Sequence, residues 1–195
     1  MAQSPVFALS PKYSTLDFPH FPNGMTLENK IDVFEDRISG WQIGIAKKMI
    51  QGGIQHSDLA LLQIVVCYFE MLGMYRSGYI GDHQSSSNFK KGFRATFPEI
   101  GEKEEGFLNA FYKKIRNGVY HIGLPKAGVI LSCHTPGSVA FIPGTTILAV
   151  CASRLVEDID IKFHQYVTDL RNPEKAELRR NFESRFHYDN SDASP

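Results

Sequence analysis

The stretch SDLALLQIVVCYFEMLGMY, residues 57–75, is apolar on nearly every side, and the architecture follows from it. Ser57 and Asp58 supply a start signal for a helix, while Leu61, Leu62, Val65, Val66, Phe69 and Leu72 spread round it instead of lining one face. A helix of that kind has to be enclosed by others, so it predicts the middle of a bundle. Its most apolar part, Leu59 to Leu72, is interrupted by Gln63 and Glu70 and falls short of the roughly 20 residues needed to cross a bilayer. Glu70 stands among apolar neighbours, where an unpaired carboxylate is costly, and Arg116 and Arg76 are its candidate partners.

Upstream, Leu27, Ile31, Phe34, Ile38, Trp41, Ile45 and Met49 recur at steps of four and three, the spacing of one long helix with a single buried stripe. Gly40 and Gly44 lie one turn apart on it and read as helix-packing positions. Downstream, Gly81 to Ser87 reads as a loop, and Asn88 to Phe97 as a short helix with Lys90, Lys91 and Arg94 on one side. A third long helix is predicted from about Glu102, with Phe107, Leu108, Phe111, Tyr112 and Ile115 on its buried face.

Between Gly128 and Val150 the character changes. Runs at Val129–Leu131, Val139–Ile142 and Thr145–Val150, punctuated by Pro136-Gly137 and Pro143-Gly144, predict a small antiparallel β meander. Helical period returns with Val156, Ile159, Phe163, Tyr166, Val167 and Leu170, and Asn172-Pro173 signals the start of a last helix to about Phe186. The expected fold is mainly α: a bundle of four to five long helices with the meander inserted before the last ones. No linker divides residues 1–195, which form a single domain with an extended N-terminal strap over 1–25 and a disordered tail over 188–195.

Charge and cysteine content narrow the function. Lys plus Arg number 21 and Asp plus Glu 21, which argues against a histone-like or polybasic nucleic-acid binder while leaving room for a local basic patch. Cys67, Cys133 and Cys151 are odd in number and widely spaced, which suits reduced thiols and a cytoplasmic protein. No signal-peptide pattern is present at the N-terminus. Cys133-His134, Cys151 and His164 lack the spacing of a metal site, and neither a phosphate-binding loop nor a Gly-x-Ser-x-Gly turn occurs, so neither metal nor cofactor is expected.

One segment is polar beyond what packing requires: Lys113-Lys114-Ile115-Arg116-Asn117-Gly118-Val119-Tyr120-His121. Arg116 and His121 stand five apart, about 140° round an unbroken helix. Asn117 and His121, four apart, share a face, so Asn117 can orient the imidazole. An imidazole titrating near neutrality can move a proton on a ribose hydroxyl, and a guanidinium can hold the phosphate as its charge grows. The same residues also suit an ordinary helix end, with basic groups on the dipole, Asn-Gly as a stop and His121 capping the next turn.

The Arg116-to-His121 stretch, with four residues between and a polar residue after the Arg, resembles the signature of the HEPN superfamily. The likeness extends as a helical plan over roughly residues 27 to 172, through Tyr68-Phe69-Glu70-Met71 and Leu155-Val156-Glu157-Asp158 with Tyr166. The resemblance implies a HEPN-like bundle that forms a homodimer and cuts RNA without metal in the cleft between two motifs, leaving a 2′,3′-cyclic phosphate and a 5′-hydroxyl. It also implies a toxin or phage-defence setting, with a cognate antitoxin or regulatory protein as a further partner and no membrane. Some toxin members carry a Tyr two residues after the His, where this chain has Gly123.

Carried over residue by residue, His121 is the general acid or base, Arg116 the phosphate ligand and Asn117 polar support. Tyr120 and Glu70 are supporting candidates, and Lys113 and Lys114, with Lys90, Lys91 and Arg94, would hold the RNA backbone. The alternatives are a non-catalytic HEPN-like module that binds RNA, a nucleotide or a protein, and a purely structural dimerisation protein.

Overall fold

In a computed structural model that describes residues 6–81, 83–99, 104–134 and 137–191, the apolar stretch becomes helix α3, Asp58–Ser77. The other elements are arranged round it. Leu61, Leu62, Val65, Val66, Tyr68, Phe69, Leu72 and Tyr75 are all buried, so more than one side of α3 is covered. The helix is longer than the sequence suggested, and its 20 residues are enough to span a membrane by length and composition. Here it is the central helix of the core.

The long helix expected over 27–49 forms with an interruption. Thr26 caps α1, Leu27–Arg37, by accepting the Asn29 N–H through Oγ1 at 3.2 Å. A π-helical segment, Ile38–Ile43, then leads into α2, Gly44–Gln51. The wider π turn shifts the buried stripe by one residue. Ile43 and Ala46 are buried, whereas Trp41 and Ile45, which a continuous α-helix would bury, are 50% and 44% exposed. Pro11 of the N-terminal strap lies against Gly40, where a Cβ would come within 2.4 Å of the proline Cγ.

Within the described part of that strap, Leu9, Phe21 and Met25 are buried, while Phe7 stays exposed. Ser10 Oγ donates to Asp36 at 2.7 Å, and the Arg37 guanidinium lies 5.6 Å from the Phe21 ring and 5.7 Å from Phe186. These contacts tie the strap to α1 and to the last helix.

Helix α4, Ser85–Thr96, starts inside the segment expected to be a loop, and it crosses α3 at very short range. Gly73 and Gly92 face each other at the crossing: a Cβ on Gly73 would lie 1.8 Å from the Asn88 carbonyl oxygen, and one on Gly92 would lie 1.8 Å from that of Phe69. Phe69, Phe89, Phe93 and Phe111 fill the space beside this crossing with tilted, edge-on and stacked rings 4.9 to 6.4 Å apart.

The β insert differs from the expected antiparallel meander. Strands β1, Val129–Leu131, β2, Val139–Phe141, and β3, Leu148–Val150, lie in the order β1-β3-β2. β3 runs parallel to β1 and antiparallel to β2, with Ala149 opposite both Ile130 and Ala140. The wholly apolar β3, buried throughout, takes the centre, where its backbone is paired on both sides.

That parallel pairing overturns the expectation of reduced cysteines. Leu131 stands opposite Val150, so the chain leaves both strands at the same end, and Cys133 is joined to Cys151 by a disulfide with a Cα–Cα distance of 4.5 Å. Cys67 is the free thiol. The cysteines therefore carry no inference of a reducing compartment.

Helices α7, Ala152–Arg171, and α8, Ala176–Asn190, close the bundle against α3. Asn172 does not cap α8 as its sequence suggested; it ends α7, and its Oδ1 accepts the Glu174 N–H at 2.9 Å in a turn that precedes α8. Tyr188, Asp189 and Asn190 belong to α8 rather than to a disordered tail, because Asn190 accepts from Arg37 at 3.0 Å and is buried. Residues 192–195, 1–5 and the expected third-helix start near Glu102 lie outside the described residues.

The Tyr68 and Tyr166 hydroxyls are buried without a hydrogen-bond partner among the described residues, and burial pushes both phenols well above their ordinary pKa. Tyr166→Phe is expected to raise stability by about 1 kcal/mol, since it removes an unsatisfied polar atom at nearly constant shape. A thermal melt checks this, and a clear loss would mean that the hydroxyl has a partner.

Candidate functional site

The polar segment singled out in the sequence lies on one helix built in three parts: α5, Glu105–Phe111, a π-helical segment, Tyr112–Arg116, and α6, Asn117–Ile122. The Asn117 N–H reaches back to the Tyr112 carbonyl, five residues away. Asn117-Gly118 therefore does not stop the helix. It ends instead at Gly123, whose φ of 73° is the left-handed cap that suits glycine. Gly118 serves the chain that returns: a Cβ there would lie 2.6 Å from the Leu124 carbonyl oxygen, and the Lys126 N–H donates to Lys114 O at 2.8 Å.

Arg116 is turned inward and is 8% exposed. Its Nε and Nη2 donate to Glu70 Oε2 at 3.1 and 2.8 Å, and Ser85 Oγ donates to Glu70 Oε1. The guanidinium carbon sits 4.4 Å from the Tyr120 ring centroid and 5.6 Å from that of Tyr112. Glu70 thus finds its partner in Arg116, whereas Arg76 lies over the Tyr166 ring at 5.6 Å. Among the described residues Arg116 Nη1 has one long contact, to Asn117 Oδ1 at 3.4 Å.

Beside this ion pair is a cavity of about 380 Å³, and Glu70, Ser85, Arg116 and Tyr120 are in its wall. Cys67 stands exposed on the same wall. Desolvation by its surroundings pushes its thiol pKa up, the Glu70 charge adds to this, and Arg116 opposes it.

His121 is placed elsewhere. It is exposed, does not line the cavity, and its ring meets Tyr120 edge-on at 5.1 Å. The expected orientation of His121 by Asn117 is not found: the Asn117 carbonyl turns to Arg116, and no described residue hydrogen-bonds the imidazole. Within one chain, then, Arg116 and His121 face different ways, as their 140° separation requires. Around His121, Tyr120, Ile122 and Leu124 are 67%, 63% and 55% exposed, an apolar rim that the sequence reading passed over.

The basic residues divide. Lys113 is exposed, but Lys114 Nζ donates to the Thr146 carbonyl at 2.8 Å. Lys90 binds Glu105 at 2.6 Å and Asn109 at 2.7 Å, and Arg94 binds the same carboxylate. The Lys90 hydrogen bond leads in holding the Glu105 carboxyl below its usual pKa. Lys90 and Arg94 are thus spent on a surface cluster, and of the basic residues singled out in the sequence Lys91 and Lys113 have no ion-pair partner among the described residues. Among the described residues, no group of three or more His, Cys, Asp or Glu is placed to hold a metal ion.

Sequence reading also missed Ser85, Asn88 and Arg185, which join Arg116 in the cavity wall from α4 and α8. Ser85 was assigned to a loop, and nothing in the spacing of α8 marks Arg185. No family model, curated protein or solved structure matches this chain.

Proposed function

We propose that the chain is a HEPN-type, metal-independent endoribonuclease that works as a homodimer. The observation that carries this reading is Arg116, bonded by Glu70 and packed between two tyrosine rings at the edge of a cavity, with Nη1 making only the long contact to Asn117 among the described residues. A guanidinium so fixed meets a phosphate without reorganising, which is what stabilising a developing charge requires. His121 lies further along the same helix and is exposed.

Because Arg116 and His121 diverge within one chain, the reading places the His121 of one protomer toward the Arg116 of its partner. The exposed rim of Tyr120, Ile122 and Leu124 supports this, since a second copy would cover it. In the proposed step His121 takes the 2′-hydroxyl proton, the 2′-oxygen attacks phosphorus as the bond to the 5′-oxygen breaks, and the leaving 5′-oxygen takes a proton from solvent, to which His121 returns its own. The products carry a 2′,3′-cyclic phosphate and a 5′-hydroxyl. A toxin or phage-defence role, with an antitoxin as partner, belongs to the same proposal.

The test is incubation with labelled single-stranded and structured RNA in EDTA, beside His121→Ala and Arg116→Ala. Wild type is expected to release cyclic-phosphate ends, and His121→Ala to cut at least about 100-fold more slowly. Equal cutting by wild type and His121→Ala would sink the reading. Binding without cutting would leave the non-catalytic RNA-binding module in its place.

A further inference from the structure

The cavity beside Arg116 contains more than the proposed cleavage requires. Its walls are partly apolar, through Val66, Met71 and Met74, and its polar groups come from four separate helices. Asn88 lies in this wall at 1% exposure, and its Oδ1 has no hydrogen-bond partner among the described residues. Arg185 lies in the wall at 7% exposure, and its Nε is likewise without a partner, although its other nitrogens reach the Tyr79 carbonyl at 2.9 Å and Asp189.

One cavity is thus lined by a residue with an unsatisfied acceptor and one with an unsatisfied donor, each normally costly to bury. A ligand that supplies both an N–H and a carbonyl or ring nitrogen on a flat, otherwise apolar frame satisfies both. Purines and pyrimidines have this combination of edge and face. Tyr120 is also in the cavity wall, and the Arg116 guanidinium lies against its ring, which places the phosphate ligand beside the cavity.

We infer that the cavity receives one unpaired nucleobase of the RNA, read on its hydrogen-bonding edge by Asn88, while Arg116 holds the adjoining phosphate. The inference rests on the ribonuclease reading and deepens it: the cavity sets which nucleotide stands beside the cut. At about 380 Å³ the cavity is in the size range of small-molecule sites and large enough for a single base. Base reading by an amide such as Asn88 is a two-point contact, and discrimination of about 5- to 100-fold between bases is the usual result.

The experiment uses the full chain carrying His121→Ala, so that RNA is not consumed, with RNA hexamers that differ only in one central base. Affinity is read by fluorescence anisotropy. Occupation of the cavity is read by protection of Cys67 from iodoacetamide, because Cys67 is in the wall and is the free thiol. The four hexamers are expected to rank over about 5- to 100-fold, with the best of them protecting Cys67 most.

Asn88→Asp, which turns the amide donor into a second acceptor, is expected to reorder the ranking. Met74→Trp, which fills the cavity from its apolar side, is expected to flatten it and keeps the test valid should the Asn88 variant fail to fold. Hexamers bound equally, with Cys67 unprotected, would overturn the base pocket while cleavage by wild type kept the nuclease reading alive. No binding of any hexamer would overturn both.

Discussion

Gly73→Ala is expected to destabilise the fold by about 3 kcal/mol or more, at the upper end of what overpacking costs. The added Cβ would lie 1.8 Å from the Asn88 carbonyl oxygen and 3.0 Å from the Gly92 nitrogen, so it meets backbone rather than a side chain that could turn aside. Relief requires moving α4 off α3 as a body, and Phe69 of α3 would lose its ring contacts with Phe89 and Phe93 of α4. Gly92→Ala repeats the collision from the other side, against the Phe69 carbonyl. For a chain of this size each kcal/mol lowers the melting temperature by about 2–4 °C, so a drop of roughly 6–12 °C is the expected reading.

Gly106→Ala is the control, because it makes the same chemical change in an α-helix with no described residue within 4 Å of the new Cβ. There alanine is expected to stabilise by about 0.5–1 kcal/mol through its better helix propensity. Opposite signs for the two substitutions would tie the cost at Gly73 to the crossing itself. A melt at wild-type temperature for Gly73→Ala would mean that α3 and α4 do not approach as described. The crossing also matters for function, since Asn88 and Ser85 enter the cavity from α4 and would move with it.

What could be read beforehand was whatever depends on period. The α3 stretch is apolar all round, and only enclosure satisfies such a helix, so its central place was legible. The two π-helical segments were not, because a widened turn leaves the composition unchanged and alters only the phase. For that reason Trp41 and Ile45 were expected inside, where Ile43 and Ala46 are found. The strands were legible as short β-branched runs, but their order was not, since local spacing says nothing of whether the third strand enters between the first two. The disulfide was hidden by the same ignorance: Cys133 and Cys151 look unrelated until β1 and β3 run parallel.

The candidate site divides along the same line. Arg116, Tyr120 and Glu70 were found through a local motif and one charge out of place in an apolar run. Ser85, Asn88 and Arg185 come from segments that meet only through tertiary packing, and no spacing announces them. Conversely, the motif suggested that Asn117 serves His121, whereas the inward turn of Arg116 draws the Asn117 carbonyl to itself.

The second large effect concerns the ion pair. Glu70→Ala is expected to destabilise by about 3 kcal/mol, because it leaves the Arg116 guanidinium buried and without its carboxylate. Arg116→Ala is expected to cost about as much by stranding Glu70, somewhat less where the 20% exposure of the Glu70 side chain admits water. Replacing both residues by methionine is expected to recover most of that loss, since burying two charges is itself costly and Tyr112 and Tyr120 offer apolar faces to either side chain.

A cycle of Glu70→Ala, Arg116→Ala and the double alanine variant should show a coupling of about 2 kcal/mol, measured by denaturant titration, and the double methionine variant supplies the stable background for activity. This separates two roles that a single substitution confounds. If Arg116 acts only by holding α6 to α3, the double variant regains cleavage with its stability. If the guanidinium meets the phosphate, the double variant folds and stays inactive, and Glu70→Gln, which keeps one acceptor for the guanidinium, retains part of the rate. A stable double variant that cuts RNA like wild type would remove Arg116 from the chemistry and leave Glu70 and Arg116 as a structural pair.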